Sequence, residues 1–325
     1  MFKVLFITFF GVGLGYLLRK ATWLNYLSKS ITYTIWFLLF FFGLQVGSNE
    51  LVVNSLDTLG LKALVIAIAG CLGSSAAAWL VWKSVFKGED GFFRGKAEVV
   101  CDGQEEDENS SGSKFKGMLG GVVVVAFFAV GCILGWLELL PGITGGGNIA
   151  MYVLYALMVQ VGMSIGSDRK LKEIILGLNP KFLFLPIGTI VGTLAFAAVA
   201  SFFISNISLP DSLAIGAGFG YYSLSSVLIT QIKEATIGGD MAAQLGTMAL
   251  MSNIMREVIT LLFAPVICKV FGKLAPISTG GATSMDSTLP VITAVCGKEL
   301  VFISIFHGVL VDFSVPFLVT FFASM

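Results

Sequence analysis

Charge is scarce in this chain. Asp, Glu, Lys and Arg make up 12% of its 325 residues against 56% hydrophobic ones, and the mean hydropathy is +0.90. So little charge excludes an ordinary soluble globular protein. Basic and acidic residues balance at 20 each, so no positive surplus exists to hold a nucleic acid. Histidine occurs once, as His307, and Cys71, Cys101, Cys132, Cys268 and Cys296 share no CxxC or other metal-ligand spacing. A metal centre therefore has little to be built from, and the cysteines read as packing residues. No Walker loop, metalloprotease motif or triad of nucleophile, base and orienting group is present, which argues against an enzyme, a cofactor and an ATP-driven pump. The N-terminal apolar run lacks a small-residue cleavage site and continues into GVGLG; it is expected to be a retained span and not a signal peptide.

Apolar sequence is what the chain has in abundance. Runs of the roughly 18–25 residues that cross a bilayer recur throughout. They predict an all-α polytopic membrane protein, embedded in the lipid bilayer, with full spans at 2–18, 31–47, 60–82, 117–138, 148–166, 181–205, 241–271 and 299–323. Two more segments, 210–231 and 276–297, are apolar but interrupted by Gly, Ser, Thr or Pro. They could cross fully or re-enter. The only long polar stretch, 84–116, holds eight acids and five basic residues and reads as a solvated linker. It separates an N-terminal three-span part, 1–83, from a larger unit, 117–325.

The two parts share a pattern. A shift of 119 lays Gly43, Gly47 and Ser48 over Gly162, Gly166 and Ser167, and Lys62, Gly73, Ala76 and Ala78 over Lys181, Gly192, Ala195 and Ala197. A shift of 120 lays Gly11 and Gly15 over Gly131 and Gly135. A three-span repeat has an odd number of crossings, so consecutive copies are expected to be inverted. Arg19, Lys20 and Lys29, the ends of the linker (Lys87, Arg94, Lys96, Lys114, Lys116), and Arg169, Lys170 and Lys172 fall in alternate loops, whereas 48–59 and 141–148 contain no Lys or Arg. The positive-inside rule then puts the basic loops in the cytoplasm and both termini outside. Inverted repeats and paired interrupted segments point to a secondary transporter.

An ionisable group in mid-membrane costs about 2.5–3.5 kcal/mol on insertion scales, so each needs a reason. Arg256 and Glu257 lie near the middle of 241–271, and as helical neighbours they do not face each other. Asp286 sits in GATSMDSTLP, among Ser284, Ser287 and Thr288, which favour unwound backbone. Pro290 suits the first turn of a following helix. The stretch GAGFGYYSLSSVLIT, 216–230, is built alike and supplies Tyr221, Tyr222, Ser223 and Ser225. Blander readings stand beside these: Asp286 as a helix cap at the membrane surface, Arg256 and Glu257 in structural interhelical ion pairs, the tyrosines as belt residues, His307 as a packing histidine. Asp312 is odd for an apolar helix and could pair with His307 five residues away.

With GFGYYSLSSVLIT, NIMREVITLLFAP and GATSMDSTLP in that order, the chain resembles the bacterial lysine exporter family over nearly its whole length. It is similar, more distantly, to the cation/proton antiporter and bile-acid transporter superfamily, whose fold has inverted repeats and crossed broken helices. The resemblance implies export of L-lysine and close analogues across the inner membrane, and carries over Glu257 and Asp286 as the intramembrane acids. Asn253 stands where some relatives are expected to hold an acid. Two acids suit the two ammonium groups of lysine, and its carboxylate could meet Arg256 or the N-terminal NH groups of a broken helix; protons are the expected coupling ion. A Na⁺/H⁺ exchanger, an exporter of another amino acid, and an intramembrane enzyme or scaffold are the alternatives.

Overall fold

The computed structural model describes residues 2–19, 21, 24, 26–48, 59–85, 126–137, 149–167, 180–205 and 207–325. The linker beyond Val85, the basic residues Lys20, Arg169, Lys170 and Lys172, Cys101, and most of loops 48–59 and 141–148 lie outside them. The elements are α1 (Phe2–Leu18), α2 (Leu27–Gly47), α3 (Leu61–Val85), α4 (Ala126–Trp136), α5 (Ile149–Gly166), α6 (Phe184–Ser201), α7 (Leu209–Gly216), α8 (Tyr222–Ile237), α9 (Gly239–Phe271), α10 (Ala275–Gly280), α11 (Leu289–Cys296) and α12 (Val301–Ala323). Short 3-10 turns precede α6 and α12, and a third, Gly281–Met285, follows α10. No strand occurs among the described residues.

Three stretches, Leu61–Val85, Lys181–Ser201 and Lys298–Ala323, are long and apolar enough to cross a membrane. Polarity is distributed accordingly. Phe202, Phe203, Phe313 and Phe317 are exposed while Ser74, Thr189, Thr193 and His307 are fully buried. Such an arrangement suits a surrounding as apolar as lipid.

The chain forms two compact units, one of Met1–Val53, Ala97–Gly177 and Thr293–Glu299, the other of Asn54–Lys96, Leu178–Ile292 and Leu300–Met325. In the first, helices meet through glycines. A Cβ on Gly162 would fall 2.4 Å from Thr8 O of α1, and one on Gly43 would fall 2.2 Å from Phe128 O of α4. Gly166 meets Val12 O and Gly47 meets Cys132 O in the same way. The contacts of α1 with α5 thus recur, at the sequence offsets of 119 and 120, between α4 and α2. Small residues allow this approach, which is how helices bind one another where no hydrophobic force separates them from lipid.

In the second unit α3 packs on α6 at Gly73 and Gly192, residues the 119 offset superimposes; a Cβ on Gly73 would come 2.1 Å from Gly192 O. Gly73→Ala is therefore expected to cost about 1–3 kcal/mol through overpacking, read as a lower unfolding temperature of the purified protein. An unchanged midpoint would show that the two helices part freely at this point.

Both interrupted segments turn back on themselves. Ser208 caps α7, its Oγ accepting from Asp211 N–H at 3.2 Å, with a proline in the first turn. The chain then turns through Phe219 and Gly220, both at positive φ (46° and 95°), before α8 begins. On α8, Lys233 Nζ reaches Asp211 Oδ1 at 2.8 Å. A helix running straight from 211 to 233 would hold these residues about 33 Å apart, so α7 and α8 form a helical hairpin. The second segment behaves alike: a Cβ on Gly280 would lie 3.5 Å from Ile292 Cδ1, against about 18 Å along a continuous helix.

Candidate functional site

The two hairpin tips meet. Ala282 N–H of the second donates to Phe219 O of the first at 2.9 Å. Gly281, at φ 60°, lies where a Cβ would sit 2.3 Å from that same carbonyl, so the contact requires glycine. Irregular backbone of this kind persists at membrane depth only where protein satisfies its polar groups, and the middle of α9 does so. Residues 253, 256 and 257 lie three and four apart and share one face.

Asn253 ties α9 to the first tip. Its Oδ1 accepts from Gly220 N–H at 2.7 Å, and its Nδ2 contacts Ala249 O at 2.8 Å, Ile215 O at 3.3 Å and Ser225 Oγ at 3.3 Å. Arg256, 3% exposed, is committed to the second. It donates from Nε to Thr279 O at 2.9 Å, from Nη2 to Ser278 O at 3.0 Å, and from Nη1 to Thr193 Oγ1 on α6 at 3.2 Å. Glu257, 2% exposed, accepts a hydrogen bond from Ser287 Oγ. Among the described residues neither Arg256 nor Glu257 forms an ion pair, so the interhelical pairing weighed from sequence is replaced by hydrogen bonds to the tips.

Asp286 is half-buried just past the second tip, and its Oδ1 accepts from Ser287 N–H at 2.5 Å. Ser287 therefore links both acids, giving its amide to one and its hydroxyl to the other. Glu257 and Asp286 lie within electrostatic reach of each other, Tyr222 within reach of both, and Asp312 within reach of Asp286. Thr288 Oγ1 contacts Thr283 Oγ1 at 3.3 Å behind them. Tyr221 and Ser223, at the exposed start of α8, stand beside the first tip. Ser225 is buried and turned inward, its hydroxyl on Tyr221 O at 2.9 Å.

His307 does not pair with Asp312. Its Nε2 lies 2.9 Å from Thr189 Oγ1 and its Nδ1 2.9 Å from Ser284 Oγ, because a residue five positions on points away around the helix. Ser284 in turn exchanges hydrogen bonds with Ser304, whose Oγ donates to Ser284 O at 2.6 Å. The histidine is thus a buried bridge from α12 to α6 and to the second tip. Sequence reasoning missed Thr189, its partner, and Thr193, the partner of Arg256, two hydroxyls one turn apart on an otherwise apolar helix. It also missed the Lys233–Asp211 ion pair. The signal for that pair was a lysine two residues past the interrupted segment, 22 positions after an acid.

Comparison with known proteins bears on the family. The family profile described as Lysine exporter LysO matches residues 5–87 and 125–323. The chain is 28% identical over 329 residues, all of both chains, to the Escherichia coli protein named Lysine exporter LysO. It is 32% identical over 197 residues, 60% of this chain and 94% of the other, to a Haemophilus influenzae protein provisionally named a lysine exporter. No solved structure matches. With the profile covering both halves of the sequence on either side of the polar linker, the chain belongs to the lysine exporter family.

Proposed function

We propose that this protein is a secondary transporter that exports L-lysine and close cationic analogues across the bacterial inner membrane by proton antiport. Glu257 and Asp286 would be the carboxylates that alternately hold a substrate ammonium and a proton. The observation that carries the reading is the Ser287 bridge: one residue just past the second tip contacts both acids. Two carboxylates at one point answer the two cationic groups of lysine, with Tyr222 and Asp312 within electrostatic reach. Arg256 is occupied by backbone carbonyls, which leaves the substrate carboxylate to the N–H groups of Ser223 and Leu224 in the first turn of α8, since those of Tyr221 and Tyr222 already donate to Gly218 O and Gly220 O. That helix has no side-chain cap at Tyr221, and its dipole favours an anion there.

The architecture we infer has eight crossings and two re-entrant hairpins, with residues 1–83 and the first three spans of 117–325 as inverted repeats. The exchange of glycine contacts between α1·α5 and α4·α2 supports the repeat, since a two-fold axis turns one pair into the other. Two hairpins that both turn back leave the number of crossings even, so both termini share the periplasmic side and the linker 84–116 is cytoplasmic. A cysteine placed at Ser111 is expected to escape an impermeant thiol reagent in intact cells; ready labelling there would reverse the orientation.

The direct test is counterflow in proteoliposomes. Vesicles loaded with lysine should accumulate labelled lysine, and external arginine or ornithine should compete more strongly than an uncharged amino acid. Exchange of Na⁺ for protons without lysine movement would replace the proposal with a cation exchanger built on the same acids.

A further inference from the structure

We propose that Arg256 is a positioning residue that clamps both re-entrant tips, and through them holds Ser287 on Glu257, without touching substrate. The inference rests on the transport reading only for its kinetic consequences. A buried guanidinium ordinarily finds a carboxylate, and among the described residues this one has none. Its fork instead takes two successive carbonyls, Ser278 O and Thr279 O, from the last turn of α10. Those carbonyls have no partner within a helix that stops at Gly280, and a cation at a helix C-terminus is favoured by the dipole as well.

The same group reaches the other tip. Its Cζ lies 5.9 Å from the centroid of the Phe219 ring, and Phe219 is the residue whose carbonyl receives Ala282 N–H. One side chain therefore grips the second tip by hydrogen bonds and the first by its aromatic face, on either side of the backbone bond that joins them. Its surroundings are shaped for it: Gly70 on α3 leaves Nη1 room, a Cβ there lying 3.2 Å away, and Thr193 accepts the third bond. A substrate carboxylate could capture this fork only by leaving two buried carbonyls unpaired, a penalty that opposes the exchange. Lysine at the position would keep the charge but not the planar fork that meets two carbonyls at once.

Amide exchange and transport together test the clamp. In purified protein in lipid nanodiscs, Arg256→Lys and Arg256→Gln should quicken exchange in peptides covering 216–222 and 278–287 by about tenfold or more, the scale of losing charge-assisted buried hydrogen bonds. Peptides of α1 and α5 should not change. In vesicles, lysine and cadaverine, which is lysine without its carboxylate, should lose turnover by the same factor, with half-saturation moving less than about twofold, because positioning acts on the transport step and not on one substrate contact. Thr193→Val, which keeps the charge and removes one bond, should show both effects at about two- to threefold, and it serves if the arginine variants do not fold. Unchanged tip exchange in the variants would overturn the clamp whatever the vesicles carry. So would a raised half-saturation for lysine with cadaverine unaffected, which is the mark of a carboxylate ligand. If the unaltered protein moves no lysine while the tips of the variants still loosen, the export reading fails and the clamp stands.

Discussion

Glu257→Gln and Asp286→Asn are each expected to stop lysine export while leaving the protein inserted and its tips closed. The hydrogen bonds make these substitutions clean. Glu257 only accepts, from Ser287 Oγ, and Asp286 accepts from Ser287 N–H; the carbonyl of Gln or Asn can accept the same bonds, so what is lost is charge. On the proposed reading each acid faces an ammonium group in a place poor in water. Removing one partner of such a pair costs about 2–5 kcal/mol, or at least about thirtyfold in the bound population. A Gln or Asn also cannot carry the exchanged proton, so the loss of turnover should exceed the loss of binding. His307→Ala gives the contrast. It removes the bridge between Thr189 and Ser284 and is expected to lower stability and weaken export without abolishing it. Initial rates in vesicles, normalised to inserted protein, decide the matter: wild-type rates from either neutral variant would remove that acid from the site.

How much of this was visible in the sequence depends on the length over which each signal acts. The membrane class followed from composition. The two interrupted segments followed from Gly, Ser and Thr set inside apolar runs, because such residues lower helix propensity over a few positions wherever they stand. Residues 253, 256 and 257 could be placed on one face of a helix by counting. What counting could not supply was their partners. Arg256 reads in the sequence as a ligand for the substrate carboxylate or as half of an interhelical ion pair, whereas two of its acceptors are the main-chain carbonyls of Ser278 and Thr279, which every residue possesses and no sequence advertises. Asn253 seemed a departure from an acid, yet an amide offers a donor and an acceptor together, and the first hairpin uses both. The turn-back of each segment was equally hidden, since a break in a helix looks the same whether the chain goes on or returns; a three-dimensional contact, Lys233 with Asp211, distinguishes the two. The offset of 119 to 120 was visible only as repeated glycines, and its meaning lies in which backbone each glycine admits.

Acidifying the face equivalent to the periplasm should drive lysine out of loaded vesicles at clamped voltage, with protons entering as it leaves. Lysine carries one net positive charge near neutral pH, and moving it out against an inside-negative potential costs about 2.3 kcal/mol per 100 mV. Exchange for one proton cancels that charge movement, because a positive charge returns for each one that departs. The voltage term then vanishes and the pH difference alone sets the limit. One unit of pH is worth about 1.4 kcal/mol, a tenfold ratio of lysine across the membrane. The site proposed here supports such coupling because a carboxylate oxygen that holds a proton no longer offers its charge to an ammonium, so Glu257 and Asp286 favour one cation or the other. With the tips open to the acid side, protonation releases lysine; with them open to the cytoplasm, loss of the proton restores the acceptor. The direction follows: acid outside speeds export, acid inside slows it. A one-for-one carrier should show a lysine gradient that shifts about tenfold per pH unit and stays put when the voltage is changed. A gradient that inside-negative voltage also increases would mean that more than one proton enters per lysine, using both acids in each cycle. Lysine efflux without proton uptake would leave a uniporter, or a carrier coupled to another ion, as the better account of the same tips.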